Sequence, residues 1–229
     1  MKPFLIVFGL LALTDLALLA SGHDALRWYT KPFLMPVLAV GVVVAARWRL
    51  DRARAALVLG LIASATGDTA LLSSGDGAFV LGTLWFAMAQ LCYIVAVANA
   101  GRGRGLVRRR PWLAIPYAGV WLAGTALLWQ HLGALRVAVV PYSALLTAMA
   151  VCALDLFGRI VRRDALLVAA GAAMFVLSDS TLAFERFDAA LAPPQAPLLV
   201  MLTYVIAQAL IVSGLAGRRE PAPPAAVRP

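Results

Sequence analysis

Eight apolar stretches, each near the roughly 20 residues that an α-helix needs to cross a bilayer, fill almost the whole chain. They fall at 3–21, 32–47, 55–73, 77–99, 111–129, 135–157, 165–185 and 196–216. In hydrocarbon every backbone polar group must be satisfied within the protein, which leaves only helices or a closed barrel. Barrel strands would read as alternating segments of roughly ten residues. The stretches here are continuous, so the expected fold is all-α. Composition agrees: 62% of the 229 residues are hydrophobic and 14% charged, against about 45–50% and about 25% in soluble domains. The sequence predicts one eight-helix transmembrane domain over 1–217 and a Pro/Ala-rich, disordered tail over 218–229.

Charge sets the expected topology. The net charge is +9, which in a soluble protein would point to nucleic acid. In a membrane protein basic residues mark the cytoplasmic loops instead, so no nucleic-acid partner is expected. With eight spans, Lys2, Arg47, Arg49, Arg52, Arg54, Arg102, Arg104, Arg108, Arg109, Arg110, Arg159, Arg162, Arg163, Arg218, Arg219 and Arg228 all lie on one side. Only Arg27, Lys31, Arg136 and Arg186 lie on the other. Seven or nine spans would break this alternation. The reading is a multi-pass protein of the cell membrane with cytoplasmic N- and C-termini. The run from Pro3 to Ala20 is long for a signal peptide and holds Asp15, so it reads as a retained helix.

A repeat runs through the chain. One gap-free offset of 111 residues aligns Gly60 with Gly171, Asp68 with Asp179, Leu71 with Leu182 and Tyr93 with Tyr204. Four spans separate the copies, so both face the same way. Two four-helix halves related by a parallel repeat are expected.

Charged side chains inside a span cost about 2.5–3.5 kcal/mol on insertion scales and usually face the protein interior. Asp155 reads as an i,i+4 surface pair with Arg159. Asp15 reads either as a helix-packing acceptor or as a site residue. Asp68 and Asp179 stand in small, polar surroundings, Ser64 to Thr69 and Ser178 to Thr181, where helices can approach closely. At equivalent depths on equivalent helices they can converge on one cavity. A carboxyl pair with one member protonated and one ionised is what acid/base hydrolysis needs. Glycoside hydrolysis, through an oxocarbenium-like transition state, follows the same logic. The same carboxylates and repeat would also serve a transporter or lipid-binding protein.

Lys31, ahead of Pro32, reads either as an interfacial anchor or as a residue reaching toward Asp68 or a lipid phosphate. Gln90 and Tyr93 share a helix face, as do Tyr204 and Gln208. They line a cavity and orient water, or they bond helix to helix. Cys92 and Cys152 fall inside spans and read as small apolar residues. His23 and His131 lack metal-ligand spacing, and no nucleophile elbow or phosphate loop is present. No cofactor or metal is expected.

At these residues the sequence resembles the YhhN family of membrane proteins, which includes the lysoplasmalogenases. The matching segments are Lys31 to Pro36, Gly67-Asp68, Gly82 to Tyr93, Ser178-Asp179 and Tyr204 to Gln208. The resemblance implies hydrolysis of the vinyl ether bond of lysoplasmalogen, a single-chain ether phospholipid of the membrane. The products would be a fatty aldehyde and a glycerophospho-ethanolamine or -choline. Asp68 and Asp179 would then be the acid/base pair. Lys31 would meet phosphate or tune that pair, and Tyr93, Tyr204 and Gln208 would orient water or substrate. Gln90 departs from the pattern, because many relatives are expected to carry His there.

Overall fold

The structure, a computed structural model, describes residues 1–217. The expected disordered tail and its three arginines lie outside these residues. The described chain is all-helical. Its α-helices are α1 (Lys2–Ala20), α2 (Lys31–Ala45), α3 (Arg52–Ala70), α4 (Asp76–Asn99), α5 (Leu106–Arg109), α6 (Ile115–Leu128), α7 (Arg136–Leu154), α8 (Arg162–Phe187) and α9 (Ala196–Ala216). Local chemistry sets several boundaries. Prolines open α1, α2, α6 and α9, where the missing N–H costs nothing. Asp51 caps α3 by accepting the Arg54 backbone N–H at 2.9 Å, which satisfies a first-turn donor.

Seven helical segments, those of α1, α2, α4, α6, α7, α8 and α9, are long and apolar enough to cross a membrane. The chain is therefore a multi-pass membrane protein. The remaining expected span coincides with α3, whose 19 residues match α1 in length. Its polarity is higher because it carries Arg54, Asp68 and a run of small polar residues. Its interior face, including Gly60, Ser64, Gly67 and Asp68, is buried against neighbouring helices. The segment expected to be a loop at 100–110 contains the one-turn α5.

Helix packing in lipid relies on close approach and interhelical hydrogen bonds rather than on exclusion of water. The tightest associations are α3 with α4 and α8 with α9. Gly67 and Gly82 mark the α3–α4 crossing: a Cβ on Gly67 would lie 3.3 Å from the Gly82 carbonyl oxygen. Helix α9 reaches across to α1, α2 and α3, while α7 bridges α4 and α8. Helix α6 is peripheral, packing on α7 and lightly on α8 and burying only Leu128. Hydroxyls on outward helix faces are satisfied within their own helix, as Thr14 and Thr66 donate to the carbonyls of Leu10 and Ile62.

One expectation about acidic residues is corrected, and one left open is resolved. Asp155 does pair with Arg159, at 3.7 Å, but not at the surface. It is buried, and it also accepts the Arg108 backbone N–H at 2.9 Å, so it pins the α5 turn to the end of α7. Asp15 is fully buried and serves packing, accepting from Thr30 at 2.6 Å and from Arg27 at 3.1 Å.

Candidate active site

A cavity of about 650 Å³ lies between α6 and the α7–α8 face of the bundle and extends to α2, α3, α4 and α9. Its walls are mostly apolar, with Phe79, Phe86, Val120 and Leu146 among them. Its ionisable lining includes Lys31, Asp68, Tyr142, Asp179 and Tyr204. This is the usual pattern of a small-molecule site, an apolar enclosure with a few convergent polar groups.

The two aspartates predicted to converge do meet this cavity, from α3 and α8. Asp68, 2% exposed, accepts the Tyr204 hydroxyl at 2.7 Å on Oδ2. Its Oδ1 lies 3.7 Å from the Lys31 ammonium. Lys31 therefore turns inward from the first turn of α2, and Tyr204 reaches across from α9. Asp179 accepts a short hydrogen bond from the Tyr142 hydroxyl of α7. Among the described residues no Lys, Arg or His forms an ion pair with Asp179.

Tyr93, Gln208 and Gln90 are placed differently. The sequence admits them at a cavity wall, but they sit one layer behind it, absent from the lining. Tyr93 donates to Gln208 Oε1 at 2.8 Å, Gln208 Nε2 donates to Ser64 at 3.3 Å, and Ser64 lies 3.2 Å from the Tyr93 hydroxyl. This closed triangle ties α3, α4 and α9 together, which is the interhelical alternative. The physical reason is Gly60, whose missing side chain lets the Tyr93 ring drop against α3; a Cβ there would meet the ring at 2.5 Å. Gln90 is fully buried, and neither end of its amide completes a hydrogen bond among the described residues. It lies beside the Tyr142 hydroxyl.

A T-shaped aromatic cluster joins this layer to the cavity. Phe175 meets Tyr204 at 5.5 Å, Phe86 at 6.3 Å and Tyr93 at 6.4 Å between ring centroids. Such edge-to-face contacts fix ring positions beyond what burial supplies, and here they aim the Tyr204 hydroxyl at Asp68.

Sequence reasoning missed Tyr142, Trp121 and Ser143. Trp121 donates its indole N–H to Ser143 at 3.0 Å and walls the cavity from α6. The available signal was Pro141-Tyr142-Ser143, a polar pair directly after a helix-internal proline within an apolar span.

An acidic, largely apolar cavity inside a bundle of membrane-crossing helices defines a polytopic membrane protein built around a buried polar centre. The chain belongs to the YhhN family, whose model matches residues 26–215. It is 34% identical over 169 residues to lysoplasmalogenase TMEM86A of Bos taurus, covering 72% of this chain and 67% of that protein. Against lysoplasmalogenase TMEM86A of Homo sapiens the identity is 33% over the same shares. Against lysoplasmalogenase TMEM86B of Sus scrofa it is 34% over 177 residues, 77% of this chain and 70% of that protein. No solved structure matches the chain.

Proposed function

We propose that the protein is a membrane-embedded hydrolase that cleaves the vinyl ether bond of lysoplasmalogen. The observation that carries this reading is that Asp68 and Asp179, from two different helices, both face one apolar cavity. The relatives named lysoplasmalogenases supply the substrate class. A volume of about 650 Å³ falls within the range of ligand pockets, roughly 300–1,000 Å³. The cavity runs along α6, so a single-chain lipid can enter sideways from the bilayer.

The chemistry needs one proton donor and one base. Protonation of the vinyl ether at carbon gives an oxocarbenium ion, and water attacks that cation. One aspartic acid donates and the other carboxylate stabilises the cation and takes the water's proton. Lys31 and Tyr204 hold Asp68 in place, and Tyr142 holds Asp179, at the polar end of the cavity, where the phosphate-bearing head group belongs. Tyr93, Gln208 and Gln90 support this wall from behind.

The same reading includes the topology. All eight long helices, α3 included, cross the cell membrane as one domain over 1–217, with both termini in the cytoplasm by the positive-inside rule. The halves are related by a parallel repeat.

The test is aldehyde release from lysoplasmalogen by the purified protein in detergent, beside folded Asp68→Asn and Asp179→Asn variants. Release that both variants lose is the expected result. Full release by both variants would discard the carboxylate pair. No release from folded wild-type protein would discard the substrate and favour transport.

A further inference from the structure

The two aspartates differ in what surrounds them, and the difference follows the repeat. The offset of 111 residues that relates Asp68 to Asp179 also relates Lys31 to Tyr142. Lys31 is the partner of Asp68 and Tyr142 the partner of Asp179. The helices that carry these partners bury matching positions at that offset: Met35 and Leu146, Leu38 and Met149, Ala39 and Ala150, Val42 and Ala153. At one repeat position, then, the first half presents a cation to its aspartate and the second half a neutral hydroxyl.

The second difference has the same direction. Tyr204 donates to Asp68, while its counterpart Tyr93 is drawn away to Gln208. Gln208 stands where the first half has Val97. Asp68 thus gathers a cation and a hydroxyl, whereas Asp179 has the Tyr142 hydroxyl only. Behind Lys31, Arg27 is taken up by buried Asp15 at 3.1 Å and by exposed Asp24 at 3.6 Å, so it is no free cation for either aspartate of the cavity.

With Lys31 charged, the charge balance of the cavity has one low-energy solution. An unpaired charge in an apolar enclosure is costly. Lys31 with two ionised aspartates leaves one net negative charge, and with two protonated aspartates one net positive charge. A single proton makes the centre neutral. Placed on Asp68, that proton would strand both the Lys31 cation and the Asp179 anion. Placed on Asp179, it leaves Lys31 and Asp68 as a compact pair.

From this geometry, and resting on the hydrolytic reading above, we infer that Asp179 is the proton donor and Asp68 the base, with Tyr142 and Lys31 as the positioning residues that set them apart. Asp179 transfers its proton to the vinyl carbon distal to the ether oxygen, and the double-bond electron pair forms the new C–H bond. Water adds to the oxocarbenium carbon while Asp68 takes its proton, which gives a hemiacetal. In the collapse Asp68 returns that proton to the ether oxygen as the C–O bond breaks. The hemiacetal hydroxyl passes its own proton to Asp179, and the aldehyde leaves. Both side chains are back in their starting states, so no further reactant is needed. Tyr142 holds Oδ2 of Asp179 and leaves the other oxygen free to carry the transferable proton.

The test is infrared spectroscopy of the substrate-free protein, delipidated in an ester-free detergent, so it does not depend on turnover of any lipid. A protonated carboxyl shows a carbonyl stretch that a carboxylate lacks. The expected result is a band in the wild-type protein that Tyr204→Phe, which removes only the donor to Asp68, leaves unmoved. Tyr142→Phe removes the hydrogen bond to the Asp179 carbonyl and shifts the band to higher frequency with the unfolding temperature unchanged. A band that moves in Tyr204→Phe instead, or no band in the wild-type protein, overturns the assignment. A band unmoved in Tyr142→Phe removes Tyr142 from the positioning role. Should these bands behave as expected while wild-type protein releases no aldehyde, the substrate reading fails and the protonation assignment stands.

Discussion

The Tyr204 hydroxyl donates to Asp68 at 2.7 Å across 136 residues of chain, from α9 to α3. The ring that carries it is held edge-on by Phe86 at 5.9 Å and Phe175 at 5.5 Å. Tyr204→Phe keeps those ring contacts and removes only the hydroxyl. A hydrogen bond to a charged group is worth about 1.5–3 kcal/mol, so kcat for aldehyde release is expected to fall roughly 10- to 100-fold. Steady-state kinetics beside a thermal melt checks this. An unchanged kcat would show that Asp68 does not need the bond.

Lys31, 12% exposed, and Asp68, 2% exposed, pair at 3.7 Å. Removing one partner of such a pair strands the other and costs about 3–5 kcal/mol. Lys31→Met is expected to lower the unfolding temperature clearly. Adding Asp68→Asn is expected to restore most of that loss while the double variant stays inactive. Recovery of stability without activity separates the structural role of the pair from its chemical role.

Gly124 lines the cavity on α6, and a Cβ placed on it meets nothing within 4 Å. A large side chain there fills the cavity without displacing packed atoms. Gly124→Phe is expected to raise KM for lysolipid several-fold with the melting temperature little changed. Equal KM values for wild type and variant would place the lipid chain elsewhere.

Gly60 faces the Tyr93 ring so closely that a Cβ would sit 2.5 Å from it. The ring has no room to yield, because its hydroxyl is fixed by Ser64 and Gln208. Gly60→Ala is expected to destabilise the fold by about 1–3 kcal/mol, the usual cost of overpacking. Pairing it with Tyr93→Leu should recover part of the loss in a thermal melt.

Much of the architecture is legible in the apolar runs. The last expected span and α9 share the bounds 196–216, and most other helix ends fall within a few residues of expectation. Length and hydropathy dictate this, because a backbone in hydrocarbon has few alternatives to helix. Helix α3 shows the limit of that signal: its polar residues serve the centre and pull it below the hydropathy of a spanning helix. Lys31 and Tyr142 stand at the same 111-residue offset as Asp68 and Asp179, but two side chains so unlike gain meaning only when each is seen against its aspartate.

By itself, then, the sequence determined that this chain is a multi-pass helical membrane protein and marked Asp68 and Asp179 as the acids to look for at one cavity. Both follow from transfer energetics, which depend on residue type and local periodicity. Only the tertiary structure decided which donors reach each acid, that Tyr93 and Gln208 stand behind the cavity, and that Tyr142 faces it. Those are matters of helix rotation and approach across more than a hundred residues, fixed by contacts such as Gly60 against Tyr93 that no local pattern encodes.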